Sequence, residues 1–275
     1  MANDVIENGV AAVTRAMQGR AFPKTALVLG SGLGPFADKL TDAHDIAYSD
    51  IPGFPIPTVH GHAGRLRIGK ASGHPLACLQ GRFHAYEGHP AAALAVPIRI
   101  LKRLGVERLI LTNAAGSIRA DKPAGSLMVL TDHINFSGQN PLIGPNDETF
   151  GARFFDTSHA YDAHLRARLH AAAKAEGVDV YDGVYVYVLG PNFETPAEIR
   201  MFGKLGADAV GMSTVPETLT AIHCGMKVAA LSVITNLAAG LARDELTHQD
   251  TLAEAQKAQA RVEKLLLRFF AQLEH

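Results

Sequence analysis

Cysteine is scarce in this sequence: Cys78 and Cys224 are the only two among 275 residues. Both sit in apolar stretches without metal-type spacing, so they read as reduced core thiols rather than a disulfide framework. Charge is scarce as well. Charged residues make up 19% and the formal net charge is −1, which leaves no global field to recruit nucleic acid or an anionic membrane. The apolar stretches are too short and too interrupted to cross a bilayer. The first residues carry acids and polar groups instead of a basic start and an apolar run, so the cytoplasm is the expected compartment. No Pro/Ser linker, charge run or shift of composition divides the chain, and no internal repeat is visible.

What is present is ordinary globular composition, 47% hydrophobic. The length permits one large α/β domain or two small ones. With no boundary signal, the expectation is a single domain over residues 1–275. Short, β-branched apolar runs at 26–29, 108–112, 127–131, 184–189 and 228–235 suit strands buried on both faces. Helical patterns lie between them at 4–18, 91–104, 160–175, 196–205 and 247–273. Asn3 or Asp4, and a Thr-x-x-Asp start at Thr247, supply N-cap signals, and Gly105 a C-cap. The alternation predicts an α/β fold, a mixed central sheet with helices on both faces. Residues 136–158 are rich in Gly, Pro, Asn and Asp and should form a long functional loop.

Chemistry-bearing residues gather after the predicted strands. Gly30-Ser31-Gly32-Leu33-Gly34 can aim backbone N–H groups and the Ser31 hydroxyl at an anion. Its spacing is not that of a dinucleotide fingerprint, and the expected ribose-binding acid is lacking, which disfavours a nicotinamide-dependent oxidoreductase. Arg82 and His84 alternate to one face of an extended segment, as partners for phosphate. His60-Gly61-His62 raises a metal reading, but the proline-rich lead-in and the lack of a following ligand set favour loop histidines. Asn113-Ala114-Ala115-Gly116-Ser117 reads either as a tight turn or as a place of close backbone approach by a ligand. Phe193 can stack on a flat base, and Glu194 can accept from ring N–H groups or simply favour the helix that follows. Val210-Gly211-Met212-Ser213 marks another strand-to-helix turn, and Asn236 ends an apolar strand where it needs partners. In open α/β sheets the C-terminal ends of strands are where ligands bind.

Taken together, these blocks resemble the trimeric purine nucleoside phosphorylases, a family that also includes methylthioadenosine phosphorylase. The similarity runs from Thr25 to His248. Its blocks are the Gly30 turn, His62-Ala63-Gly64-Arg65, Gln80-Gly81-Arg82-Phe83-His84-x-Tyr86-Glu87-Gly88, Thr112-Asn113-Ala114-Ala115-Gly116 and Thr131-Asp132-His133-Ile134-Asn135. Gly190-Pro191-x-Phe193-Glu194-Thr195, Gly211-Met212-Ser213-Thr214-Val215-Pro216-Glu217 and Thr235-Asn236 follow in order.

The resemblance implies reversible phosphorolysis of purine nucleosides, with inorganic phosphate as co-substrate and no metal or organic cofactor. Ser31, Arg82, His84, the Ala114 backbone and Ser213 would hold phosphate, with His62 near it. Tyr86, Met212 and His248 would line the ribose, joined by Phe154 from a neighbouring subunit of a homotrimer, though Phe155 is also placed to supply that edge. Phe193, Glu194, Val210 and Asn236 would hold the purine, and Asn236, His84 and Glu194 would act in catalysis. Where this chain has Asn236 the methylthioadenosine branch has Asp, so inosine and guanosine are the implied substrates. Leu237-Ala238-Ala239-Gly240-Leu241 looks like the bacterial members, and the loop that follows carries the approach to His248. Retention of both the purine-end and the phosphate-end residues argues against a non-catalytic binding protein.

Overall fold

The computed structural model describes residues 2–58, 63–241 and 247–274, without the side chains of residues 2, 3 and 248. Its frame is a nine-stranded sheet. Strand β1 (Thr25–Val28) is buried along its whole length, because its alternate residues face two different cores. Ala26 and Val28 point into one apolar cluster, and Leu27 and Leu29 into the other. A continuous apolar run is what such a two-faced strand requires. On one side of β1 lie β4 (His74–Gln80), β3 (Arg65–Ala71) and the edge strand β2 (Thr41–Ala47).

On the other side β1 pairs in parallel with β5 (Arg108–Ser117). Beyond β5 come β8 (Ala209–Gly211), β7 (Tyr181–Tyr187), β6 (Leu127–Asn135) and β9 (Lys227–Leu237). Strand β9 also pairs directly with β5, so these five strands close into a ring. The mixed sheet anticipated from the sequence is therefore present.

Helices α1 (Ala2–Met17), α2 (Ala91–Arg103) and α5 (Val215–His223) cover one face, through Ile6, Val13, Leu94, Ile98, Leu101 and Leu219. Helices α3 (Ala163–Ala175) and α6 (His248–Ala271) cover the other, through Leu165, Leu169, Val262, Leu265, Phe269 and Phe270. Helix α4 (Pro196–Lys204) closes a smaller cluster with Ile199 and Phe202. Cys78 and Cys224 are free and buried, one in each main cluster.

Helix ends follow their capping chemistry. Thr247 Oγ1 accepts from the Asp250 amide at 3.1 Å, and Gly105 takes the positive φ of 96° that ends α2. Helix α3 starts later than its pattern suggested, because Asp162 Oδ1 accepts from the Leu165 amide at 2.8 Å and fixes the cap there. Helix α1 starts earlier, so Asp4 stands in its first turn rather than at its cap. Residues 136–158 carry no helix or strand.

The larger correction concerns residues 113–117. They form no tight turn. They continue β5, paired with β9 as far as Ser117↔Leu237 and with β8 at Gly116↔Val210. Strand β9 likewise runs past 235, so Asn236 sits inside a strand.

Phe270 is fully buried between Phe36, at 6.2 Å between ring centroids, and His74, at 6.0 Å and stacked. Phe270→Ala should lower the unfolding free energy by about 3–5 kcal/mol. Urea denaturation of the two proteins checks this, and a loss below about 1 kcal/mol would mean that the cleft between α6 and the sheet collapses to fill the gap.

Candidate functional site

The C-terminal ends of β1, β4, β5, β7, β8 and β9 converge on one cavity of about 270 Å³. Its first end is built around Arg82. This side chain leaves the end of β4 and is only 1% exposed. A buried cation needs partners. Arg82 Nε donates to Glu217 Oε1 at 2.6 Å, and Nη1 donates to the Thr112 carbonyl at 2.6 Å and to Ser213 Oγ at 3.3 Å. Glu217 sits in the first turn of α5, where a carboxylate also suits the helix dipole.

His84 stands beside Arg82. Its Nδ1 lies 2.9 Å from Glu87 Oε1, and its backbone N–H donates to the same oxygen at 2.9 Å. Glu87 Oε2 accepts from the Thr58 amide at 2.6 Å and from its hydroxyl at 2.7 Å. Burial raises the Glu87 carboxyl, but these hydrogen bonds from His84 and Thr58 outweigh it and bring its pKa to about 2. Glu87 is thus a fixed acceptor that holds the proton of His84 on Nδ1. Burial also pushes the His84 imidazole below its ordinary value, against the pull of Glu87. A neutral histidine with one tautomer results.

The glycine turn closes this end. The Gly30 amide donates to Thr112 Oγ1 at 3.1 Å, and Thr112 Oγ1 donates to the Val28 carbonyl at 3.0 Å. A Cβ on Gly30 would meet Asn113 Cα and the Thr112 carbonyl oxygen at 2.7 Å, so only glycine lets β1 end this close to β5. Gly32 has φ +77°, and a Cβ there would strike Ala255 of α6 at 2.5 Å. Ser31, between them, lines the cavity, as does Ala114.

The middle is lined by Tyr86, Met212 and Thr251. Tyr86 stacks on His84 with centroids 4.6 Å apart. The far end carries Phe193, Glu194, Val210 and Asn236. Phe193 remains 37% exposed. Burial raises the Glu194 carboxyl above the ordinary range. Thr235 Oγ1 donates to Asn236 Oδ1 at 3.0 Å, and Asn236 Nδ2 donates to the Leu237 carbonyl at 3.2 Å. These contacts orient the carboxamide at the cavity wall.

The structure therefore brings together Ser31, Arg82, His84, Ala114, Ser213, Tyr86, Met212, Phe193, Glu194, Val210 and Asn236. Phe154 stands apart on the long loop, 88% exposed. Phe155 packs edge-on against His223 instead. His60 and His62 lie outside the described residues, and His248 is described only as the first residue of α6. Among the described residues no cluster of three or more His, Cys, Asp or Glu is placed to hold a metal ion. Glu217 and Glu87 were visible only as motif letters without a role, and Thr251 gave no signal at all. An acid four residues after Ser213 looks like a helix-start charge until the fold places Arg82 against it.

A family model described as the phosphorylase superfamily matches residues 24–271. The chain is 48% identical to purine nucleoside phosphorylase 1 of Bacillus subtilis over 252 residues, 92% of this chain and 93% of that protein. It is 50% identical to purine nucleoside phosphorylase 1 of Geobacillus stearothermophilus, over 86% of this chain and 87% of that protein. Crystal structures of a Schistosoma purine nucleoside phosphorylase with hypoxanthine and with adenosine superpose with TM-score 0.92 at 37% identity, covering 98% of this chain and 97% of theirs. The chain belongs to the phosphorylase superfamily and, within it, to the purine nucleoside phosphorylases.

Removing Glu217 would strand a buried cation. Glu217→Ala should cost about 3–5 kcal/mol of stability, the range for breaking one side of a buried pair. Denaturant unfolding measures it, and an unchanged midpoint would show that Thr112 and Ser213 satisfy Arg82 by themselves.

Proposed function

We propose that residues 1–275 act as one nucleoside phosphorylase domain. It catalyses reversible phosphorolysis of purine ribonucleosides and 2′-deoxyribonucleosides to the free base and (deoxy)ribose 1-phosphate, with preference for 6-oxopurines. The observation that carries this reading is a single cavity with an Arg82–His84–Ser31–Ser213 end and a Phe193–Glu194–Asn236 end.

In this reading Ser31, Arg82, His84, Ser213 and the Ala114 amide hold phosphate, with His62 nearby. Tyr86, Met212 and His248 line the sugar. Phe154 of a neighbouring copy in a homotrimer completes the sugar site, and the enzyme works in cytoplasmic purine salvage without metal or organic cofactor. Cleavage of the N-glycosidic bond leaves positive charge on the sugar and negative charge on the purine. Phosphate offsets the first and attacks the anomeric carbon with inversion. Asn236 offsets the second by donating at N7, a contribution of about 3–4 kcal/mol for one preorganised donor. His84 and Glu194 complete the catalytic set, His84 at phosphate and Glu194 at N1–H.

Glu194 and Asn236 together match a 6-oxopurine. A 6-aminopurine would leave both mispaired, and a site of this kind discriminates by roughly 10⁴. The adenosine complex of the Schistosoma relative makes turnover, rather than occupancy, the proper measure. Phosphate-dependent release of hypoxanthine from inosine, followed by absorbance, tests the activity. Inosine should exceed adenosine in kcat/KM, and Asn236→Asp should reduce that ratio by about tenfold or more. Equal turnover of the two nucleosides, or an unchanged ratio in the variant, counts against these roles.

The raised Glu194 carboxyl adds a pH signature. The carboxylate accepts the purine N1–H, so hypoxanthine affinity should fall as pH drops through the Glu194 pKa, above the ~4.3 of an ordinary glutamate. Calorimetric titration across pH should show that acid limb in the native protein and not in Glu194→Gln. A limb that persists in the variant assigns it to another group.

A further inference from the structure

Thr214 is the residue of this site that conformation singles out. It is fully buried, and its backbone has φ 74° and ψ −46°. The Val215 amide donates to the Ser213 carbonyl at 2.8 Å, which closes a γ-turn of the rarer, strained hand around Thr214. A β-branched residue in the positive-φ region persists only where its surroundings over-determine it. Here the first turn of α5 does so. Thr218 donates to the Thr214 carbonyl from both its amide, at 2.9 Å, and its hydroxyl, at 2.8 Å.

The side chain of Thr214 has a direction as well as a place. Asn113 Nδ2, which can only donate, gives a proton to Thr214 Oγ1 at 2.8 Å. Thr214 Oγ1 also lies 3.3 Å from Ser213 Oγ, a pair in which either hydroxyl can donate. Ser213 Oγ also receives Arg82 Nη1 at 3.3 Å. Tyr185, kept protonated by burial with its pKa raised to about 12, hydrogen-bonds the Ser213 side chain too, while its oxygen accepts the Ser213 amide at 3.3 Å. Arg82 can only donate, so its guanidinium takes one lone pair of Ser213 Oγ. Ser213 itself lines the cavity. The 3.3 Å spacings are long for hydroxyl pairs and have room to tighten around a ligand.

We propose that Thr214 is a positioning residue for phosphate: its γ-turn places the Ser213 hydroxyl beside Arg82, and its own hydroxyl, held by Asn113, keeps Ser213 there for the anion. This rests on the functional reading above. The contacts run from Asn113 through Thr214 to Ser213, and with Arg82 they hold the Ser213 hydroxyl at the cavity wall where phosphate would bind.

Thr214→Val keeps the branched shape and removes the hydroxyl, whereas Thr214→Ser keeps the hydroxyl. Thr214→Val should weaken phosphate binding about tenfold, by calorimetry and as KM for phosphate, with KM for inosine changed less than about twofold. Thr214→Ser should recover most of the lost phosphate affinity. Thr218→Val frees the turn without touching the chain of hydroxyls, and should raise KM for phosphate about threefold. It supplies the same test if Thr214→Val does not fold. Unaltered phosphate binding in Thr214→Val, or equal losses for phosphate and inosine, overturns the proposal. Calorimetry keeps it separate from the functional reading. A native protein that binds phosphate but releases no hypoxanthine overturns the reading alone, and the positioning claim then stands or falls on the phosphate affinity of the variants.

Discussion

The Arg82 guanidinium, held out of water at the end of β4, is the constraint around which the site is organised. A bare buried cation is untenable. The surroundings answer with the Glu217 carboxylate from α5, the Thr112 carbonyl from β5 and Ser213 from the turn after β8. Three separate parts of the chain must therefore arrive together before Arg82 is satisfied. Pairing also removes most of the net positive charge at this end. What remains is a set of oriented donors rather than an unbalanced cation. Under the proposed reaction a bound phosphate would bring negative charge that this wall does not cancel. That excess faces the sugar, where positive charge develops as the glycosidic bond breaks.

The opposite end depends on how β5 continues. Past Thr112 the strand enters the ring formed with β8, β7, β6 and β9, and Gly116 is registered with both Val210 and Asn236. A Cβ at Gly116 would come within 3.0 Å of Asn236 Nδ2 and 3.5 Å of Val210 Cγ1. The small residues of 113–117 are therefore the condition for β8 and β9 to approach from two sides and present Val210 and Asn236 to one space. One strand thus serves both ends, with Thr112 beneath Arg82 and Gly116 beneath Asn236.

That continuation also explains what the sequence revealed and what it hid. Strands buried on both faces, such as β1 and β9, announce themselves by unbroken apolar runs, and α6 by its Thr247–Asp250 cap. Strand β2 is an exposed edge with Thr41, Asp42 and Asp45 on its surface, and β8 is only three residues long. Neither has the periodicity of an independent element, because neighbouring strands define both. Asn113 to Ser117 read as a turn or as a place of close ligand approach, because small residues in a strand normally weaken it. Here their smallness lets β8 and β9 come close to β5 beside the cavity that residues 113–116 help to line. The residues of the site were largely legible from the family pattern of motifs. The support beneath them was not. Glu87 and Glu217 resemble solvated helix-start acids, and the conformation of Thr214 has no sequence signature, since threonine is a poor choice for positive φ by every local rule.

The long loop raises the same question of incompleteness at the level of the whole chain. It leaves Phe154 88%, Ile143 77% and Phe136 48% exposed. Large apolar side chains this open to water leave unclaimed about 25 cal/mol for each square ångström that a partner would cover. At the cavity, Phe193 is 37% exposed. An aromatic projecting away from its own fold and a pocket open beside its aromatic wall are complementary defects. The loop is anchored where it stands, by Phe155 against His223 and by Arg103 donating to Thr149 at 2.6 Å. In the proposed trimer the loop would keep these anchors while a neighbouring copy covers Phe154.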